Sequence, residues 1–294
     1  MLLSIIIINY NTFALTADCI RSVRTFTREL DYEIILVDNA STEHDAADFL
    51  EMFPGIKLIK SPVNGGFAYG NNLGIEQAAG EFILLLNSDT VLEEDSLSRT
   101  IDFFKKQDGA GVVGCRMVFP DRKVQYSARR FRSIGWELLD LFRFIPYLMP
   151  YKLRAAKMLG KYFRHDEDME CDWVNGAFFL FRKKMIEQFP GKKLDDRFFM
   201  YGEDQFWCEQ AKKLEYRNYF YSGTTIIHIN SGSTDPGRQL SLRRKMMENE
   251  MEIMRLRKGN GIYYFFFVIL FGFKEHARNF IKWIFYKASG KLLR

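Results

Sequence analysis

Cysteine is scarce in this 294-residue chain: Cys19, Cys115, Cys171 and Cys208 lie far apart, with no C-x-x-C pair among them. That spacing excludes a cysteine zinc site, and a disulfide framework is not expected in a chain of this length. Charge of one sign is missing from most of the chain as well. The net charge of +5 resides in residues 274–294, where Lys274, Arg278, Lys282, Lys287, Lys291 and Arg294 meet one acid, Glu275, so residues 1–273 sum to zero. A body with no net charge has no bulk electrostatic reason to seek nucleic acid. The uncharged apolar run at 262–273 would reach roughly 18 Å as a helix, short of the ~30 Å hydrocarbon core of a bilayer. The start, Met1-Leu2-Leu3-Ser4-Ile5, has no charged leader and no small-residue cleavage site, and it reads as a buried strand rather than an export signal. No G-x-G-x-x-G follows that strand, which disfavours a Rossmann dehydrogenase. There is no internal repeat and no low-complexity linker.

Apolar material is what the chain has in quantity, 47% of residues with 28 phenylalanines. That supports a substantial core in one large domain, or one domain with a small annex, and greasy contacts beyond it. In the first third, short apolar runs at Leu3 to Ile8, Glu33 to Val37, Ile56 to Ile59 and Phe82 to Leu86 alternate with helical spacing around 13–26, 43–52, 67–79 and 93–106. Nearly continuous apolar strands separated by helices predict a doubly wound α/β fold, its mostly parallel sheet covered on both faces. Ligands of such sheets sit beyond the carboxyl ends of the strands. Four successive strands here end in polar clusters: Asn9-Tyr10-Asn11, Asp38-Asn39, Asn64-Gly65-Gly66 and Asn87-Ser88-Asp89. One cluster is an ordinary turn; four in a row predict a site.

After about residue 120 the rhythm breaks. Residues 136–163 mix aromatic and aliphatic residues with Arg and Lys and predict one or two amphipathic helices, interrupted at Pro146 and Pro150. Sheet returns at Trp173 to Phe181, followed by a helix at about 203–214 and a strand ending near His228. In the tail, Ala277, Phe280, Ile281, Ile284 and Phe285 recur at helical spacing with basic residues largely between them. Lying in the interface of an anionic membrane leaflet is the expectation for such a segment; a helix packed on the main body is the alternative.

The segments SIIIINYNT (Ser4 to Thr12), ILVDNAST (Ile35 to Thr42), NGGFAYGNNLGI (Asn64 to Ile75) and LLNSDT (Leu85 to Thr90) resemble, in order, the motifs of family 2 glycosyltransferases of the GT-A fold. WVNGAFFLFR (Trp173 to Arg182) and DDRFFMYGEDQFWC (Asp195 to Cys208) resemble that family's acceptor-side and catalytic motifs. The resemblance covers about residues 3 to 230 and is nearest to the rhamnosyltransferase-like branch that builds bacterial surface polysaccharides. It implies inverting transfer of a hexose or deoxyhexose, rhamnose favoured, from a UDP- or dTDP-sugar to a hydroxyl of a lipid-linked or polysaccharide acceptor.

The resemblance also assigns roles. Tyr10, Asn11, Asp38, Asn64, Gly65, Gly66, Asn72 and Asn87 fall to the donor, with Asp38 on the base or ribose. Tyr10 could stack on the base, and the amides at Asn64-Gly65-Gly66-Phe67, which open a helix, could approach the diphosphate. Trp173, Asn175 and Gly176 fall to the acceptor. Glu203 and Asp204 form the catalytic pair, with Asp204 the base that takes the acceptor proton. A departing diphosphate needs neutralising, which implies Mn²⁺ or Mg²⁺ held by Asp89 and His228. The family usually shows Asp-x-Asp where this chain has Asn87-Ser88-Asp89, one anionic ligand fewer.

The domain layout expected is 1–230 catalytic, with 1–118 for the donor and 119–230 for the acceptor, carrying the insert 136–163. Residues 231–294 then form helical, membrane-associating material. The implied partners are a nucleotide-diphosphate sugar, a polyprenyl-diphosphate-linked glycan and an anionic membrane at the cytoplasmic face of the plasma membrane. A nucleotidyltransferase is disfavoured because no basic residue precedes Arg21. A non-catalytic scaffold would be expected to have lost Asp89, Asp204 or His228, and all three are present.

Overall fold

The computed structural model describes residues 1–229 and 236–289 and divides into two compact units, Met1–Arg130 with Leu159–Ser231, and Phe131–Met158 with Gly232–Arg294. Twelve strands lie in the first: β1 (Leu3–Asn9), β2 (Tyr32–Asp38), β3 (Lys57–Lys60), β4 (Phe82–Asn87), β5 (Thr90–Leu92), β6 (Ala110–Val118), β7 (Val124–Gln125), β8 (Ala128–Arg129), β9 (Met169–Cys171), β10 (Trp173–Val174), β11 (Phe178–Arg182) and β12 (Arg217–His228). The main sheet runs β3-β2-β1-β4-β11-β6-β12-β5, with β7 added on β6 and β9 on β12. β3, β2, β1 and β4 are mutually parallel, β6 and β12 are parallel, and β11 is antiparallel to both its neighbours. β8 and β10 form a separate two-stranded sheet.

β1 is buried along almost its whole length because it lies inside this sheet. Leu3, Ile5 and Ile7 face a core shared with Ile20 and Val23 of α1 (Phe13–Phe26), and each such side chain contributes about 1.5–3 kcal/mol by leaving water. The same core takes Phe49 from α2 (Asp48–Met52). The helix expected over 43–52 is therefore shorter, since Asp45 accepts from the Ala47 N–H in a local turn instead. α3 (Phe67–Gln77) follows the glycine turn, and α4 (Ser96–Lys105) starts on Asp95, whose carboxylate accepts from the Ser98 N–H. All four cysteines are buried and free.

The second unit holds α5 (Ile134–Leu141), α6 (Phe144–Leu148) and α7 (Tyr151–Met158). The insert thus forms three helices rather than one or two. Pro146 does not break α6, because it occupies the third helical position, where an N–H has no intrahelical acceptor to lose. In the first unit again, α8 (Lys183–Ile186) follows β11 and α9 (Glu203–Lys213) precedes β12. The second unit is completed by α10 (Pro236–Lys258) and α11 (Ile262–Ser289).

α11 is one continuous helix, not an apolar segment followed by a separate basic one. Among the described residues no helix is long and apolar enough to cross a membrane. The expectation of basic residues on show is corrected at Lys274. Lys274 is 2% exposed and contacts Glu137 and Asp140, while Arg278 pairs with Glu275 and approaches Asp140. α11 exposes apolar residues, including Phe265, Phe266, Ile269, Phe273 and Trp283, beside His276 and Lys287. Phe266, Ile269 and Phe273 also line, with Ile134 and Leu270, an open apolar groove of about 460 Å³.

Candidate active site

The polar ends of β1 and β2 are knitted together by Asn9. Its amide donates to Asp38 Oδ1 at 2.7 Å and to Ser41 Oγ at 3.0 Å, and its carbonyl accepts from Thr12 and Thr16. Asp38 Oδ2 receives the Ser41 N–H, so the carboxylate is fixed at the strand end. Asn11 takes a positive φ of 53° and accepts the Thr42 N–H at 2.8 Å, which closes the two turns on each other. Tyr10, between these fixed residues, is 47% exposed and presents an open ring.

The glycine turn is held just as firmly. Gly66 N–H donates to Asn64 Oδ1, Gly65 N–H to Asn39 Oδ1 and Phe67 N–H to Phe199 O. These three amides are bonded inside the protein, while the first turn of α3 keeps further N–H groups without an intrahelical acceptor. Gly66 is needed for backbone reasons: its φ is +89°, and a Cβ would lie 2.4 Å from Phe199 O. Asn72 is also committed, its amide exchanging both hydrogen bonds with the backbone of Leu194. It ties α3 to the loop before α9.

Asp89 lies in the turn between β4 and β5, and His228 ends β12, which pairs with β5. His228 Nε2 stands 3.3 Å from Asp89 Oδ1. On the other side of the ring, Gln125 Oε1 lies 2.8 Å from His228 Nδ1, and Gln125 Nε2 donates to His228 O at 2.6 Å. With its nitrogen so used, Gln125 offers only oxygen to the ring, which places a proton on Nδ1 and leaves Nε2 as the nitrogen that faces the carboxylate. An imidazole nitrogen and a carboxylate oxygen 3.3 Å apart have the spacing of two ligands on one cation, since adjacent ligands with ~2.1 Å bonds lie ~3 Å apart. A second-sphere carbonyl that orients the imidazole belongs to the same pattern. No group of three or more His, Cys, Asp or Glu suited to a metal occurs among the described residues. The protein side of such a site is these two ligands. Nearby, Asn87 Oδ1 is buried without a hydrogen-bond partner, an acceptor open to a ligand.

The Glu203-Asp204 motif opens α9. Gly202 precedes it in a left-handed conformation, and Glu203 and Asp204 occupy the first turn. Asp204 Oδ2 receives the Gly176 N–H at 2.9 Å and Oδ1 the Gln205 N–H at 2.8 Å. Each oxygen keeps a second lone pair, so the carboxylate is oriented without being saturated. Burial pushes its pKa up, opposed by the two backbone N–H groups and by the Arg129 guanidinium. Glu203 is 7% exposed, with Oε2 unpartnered, and burial and then the Asp204 charge push its pKa up. The two acids therefore differ. Asp204 is partly exposed and held as an acceptor, whereas Glu203 is sequestered.

Two hydrogen bonds join this pair to the Asp89 turn. Asn87 N–H donates to Ala177 O, and the preceding residue, Gly176, donates to Asp204. In the Trp173–Gly176 segment, Trp173 Nε1 donates to Arg130 O, and the Arg129 guanidinium lies 5.3 Å from the Trp173 ring. Asn175 closes its own turn by accepting the Ala177 N–H. Asn9, Gln125 and Arg129 were not among the residues singled out for roles by motif. Asn9 alone carried a signal, as the first residue of a strand-end polar cluster.

A sheet with polar strand ends, a carboxylate–imidazole pair and an oriented aspartate form a glycosyltransferase framework of GT-A architecture. The family model for glycosyl transferase family 2 matches residues 4–189, and the chain belongs to that family. It is 24% identical over 235 residues to an N-acetylglucosaminyl-diphospho-decaprenol L-rhamnosyltransferase of Mycobacterium tuberculosis, covering 74% of this chain and 73% of that one. It is 26% identical over 211 residues to the O-antigen biosynthesis protein RfbC of Myxococcus xanthus, covering 70% of this chain but only 16% of that far longer protein. The fold is shared with a mannosyltransferase of Pyrobaculum calidifontis solved with GDP-Man and Mn²⁺, at a TM-score of 0.60 and 14% identity over 92% of this chain and 68% of that one.

Proposed function

We propose that this glycosyltransferase is metal-dependent and inverting, and moves a hexose or deoxyhexose, rhamnose favoured, from a UDP- or dTDP-sugar to a hydroxyl of a lipid-linked or polysaccharide acceptor in bacterial surface glycan synthesis. The observation that carries the reading is the pair of hydrogen bonds linking Asp204 to the Asp89 turn through Gly176 and Ala177. They tie an oriented base to the turn that bears the metal-ligand candidate. Asp204 takes the proton of the acceptor hydroxyl as its oxygen bonds to the anomeric carbon, and the bond from that carbon to the nucleotide diphosphate breaks in the same displacement. No covalent sugar–enzyme intermediate forms. Mn²⁺ or Mg²⁺, when bound by Asp89 and His228, supplies charge neutralisation for the departing diphosphate.

Asp38 and Tyr10 receive the base and ribose, with Asn11 and Asn64 framing the turns beside them and Asn87 supplying an acceptor. Gly65 and Gly66 serve by letting the turn close. Trp173, Asn175 and Gly176 line the acceptor side. The mycobacterial relative's name places its acceptor on diphospho-decaprenol, and we carry that class, a polyprenyl-diphosphate-linked glycan, to this chain. The exposed aromatic residues of α11 support a peripheral place for the C-terminal region at an anionic membrane, on the cytoplasmic face of the plasma membrane. Full activity of a chain truncated after Gly259 on a membrane-embedded acceptor would remove that role.

The deciding experiment screens UDP-, dTDP- and GDP-sugars with Mn²⁺ or Mg²⁺ for hydrolysis and transfer. Turnover of one donor names it and supports the reading. Absence of nucleotide binding even with metal would put a non-catalytic scaffold in its place.

A further inference from the structure

Between Leu141 and Leu159 the chain holds Arg143, Lys152, Arg154 and Lys157 and neither Asp nor Glu. This stretch forms α6 and α7, and α6 distributes its side chains in an unusual way. The residue it buries is Pro146, while Phe144 and Leu148 stand 65% and 81% exposed and Ile145 and Tyr147 are exposed as well. A helix that turns its aliphatic and aromatic side chains outward forgoes the gain of taking them out of water. Phe142 before it and Leu153 after it are also exposed, and the Phe142 and Phe144 rings meet edge to face. Apolar exposure is therefore concentrated in one short segment rather than scattered singly, and concentration of this kind marks an interaction surface.

The outward face is held in place by contacts on its inner side. Trp136 Nε1 of α5 donates to Met158 O at 3.1 Å, which closes the segment at its far end. The Arg154 guanidinium lies 4.8 Å from the centre of the Tyr147 ring and 5.7 Å from that of Tyr151, and so docks α7 on α6. Ala155 and Met158 are buried, which leaves Lys152, Leu153 and Lys157 on the exposed side of α7. Leu153 and Lys157 are one helical turn apart, with Lys152 beside them. Arg143 is drawn toward Asp140, at 4.0 Å, so the positive surplus of the segment lies on α7.

We propose that α6 and α7 form a membrane-docking surface of their own, in which Phe144 and Leu148 enter the interface of a bilayer while Lys152 and Lys157 meet anionic lipid headgroups. This surface is separate from α11 and does not need it. Charge complementarity selects the occupant: apolar side chains beside cations without acids match an anionic leaflet, which offers hydrocarbon and phosphate together. A second copy of the chain does not match, because a symmetric contact through this patch sets cations against cations. Single-stranded nucleic acid is poorly served too, since Ile145, Leu148 and Leu153 offer bases no ring to stack on. One turn of helix is far too short to span a bilayer, and it suits the ~5–10 Å depth to which interfacial helices sink. Docking here would confine the chain to the surface on which a lipid-linked acceptor lies; that consequence alone rests on the acceptor reading above.

The test attaches a polarity-sensitive fluorophore to a Leu148→Cys variant of the full chain, in which all four native cysteines are buried and so spared. Vesicles of phosphatidylcholine, alone or mixed equally with phosphatidylglycerol, are then added. With the mixed vesicles the emission should shift to the blue and be quenched by nitroxides carried on the lipid acyl chains. In the unlabelled protein, Phe144→Ser with Leu148→Ser should weaken vesicle binding about tenfold or more. Lys152→Gln with Lys157→Gln should weaken it about tenfold on mixed vesicles and leave it unchanged on phosphatidylcholine. Circular dichroism and the unfolding midpoint establish that each variant is folded, and if the serine pair is not, the glutamine pair carries the test. A chain that binds vesicles while the label at position 148 stays in water overturns the proposal and leaves any membrane contact to α11. Absence of vesicle binding overturns both. A blue shift that needs no vesicles and grows with protein concentration also overturns it, and assigns the patch to a second copy. None of these readouts uses transfer activity, so failure of the transfer reading is seen separately, in the donor screen.

Discussion

Gly176 donates its backbone N–H to Asp204 Oδ2 at 2.9 Å, while a side chain at position 176 would begin 3.3 Å from Asp204 Cβ. One residue thus orients the carboxylate and leaves it room. If Asp204 is the base, Asp204→Asn should lower kcat by about 10²–10⁴-fold, the usual contribution of a positioned base, with nucleotide affinity unchanged. Gly176→Ala should reproduce part of that loss by displacing the carboxylate. Retention of more than about a tenth of wild-type kcat by Asp204→Asn would move the base elsewhere, since general-base catalysis cannot be so small.

Gln125 acts on the Asp89–His228 pair from behind, through His228 Nδ1. Replacing it with Met removes the acceptor that sets the imidazole tautomer and leaves the ring free to turn. The metal concentration needed for half-maximal transfer should rise about 10–100-fold, as for other second-sphere partners of ligating histidines, with little change in kcat at saturating metal. An unchanged metal requirement would mean that His228 does not serve as a ligand.

Stability should depend on pH through His165. Its folded pKa is depressed to about 4 from an ordinary value of 6.5, mainly by burial. The unfolded chain therefore takes up a proton between those values that the folded protein refuses. The sign follows: stability is fully present above pH 6.5, is lost as pH falls toward 4, and loses no more from this residue below that. The amount is on the order of 3 kcal/mol. Denaturant titrations at pH 7 and pH 4.5 should show the loss in wild type, and His165→Gln should flatten it. An equal loss in the variant would assign the acid sensitivity to other groups.

The main sheet and the chemistry at its strand ends were legible because both are local. β1, β2 and β4 are apolar runs flanked by Asn and Asp, and Asp89 and Asp204 stand in motifs of a few residues. What escaped depends on contacts made across long stretches of chain. Gln125 lies in a two-residue strand and matters only because the fold brings it to His228, 103 residues away. The glycine turn showed its type in the sequence but not that Asn39, Asn64 and Phe199 take the Gly65, Gly66 and Phe67 N–H groups. Lys274 read as one more basic residue of a membrane-facing tail.

Lys274 is instead the centre of the second unit's buried charge. It contacts Glu137, which is fully buried, and lies 2.9 Å from Asp140, while Arg132 reaches Glu137 at 2.7 Å and Glu250 at 3.4 Å. Removing the ammonium in Lys274→Met leaves two acids without one of their cations, in a site that water does not reach. The cost should be about 3–5 kcal/mol, the usual penalty for breaking a buried pair, seen as a lower unfolding midpoint and faster proteolysis within α10 and α11. Removing an acid with it, in Lys274→Met with Asp140→Leu, restores the balance of charge and should recover at least half of the loss, because well-packed apolar groups replace buried ions at little cost. If the double variant is no more stable than the single one, the lysine contributes through packing against Trp136, whose ring centre is 5.1 Å from Nζ, and not through its charge.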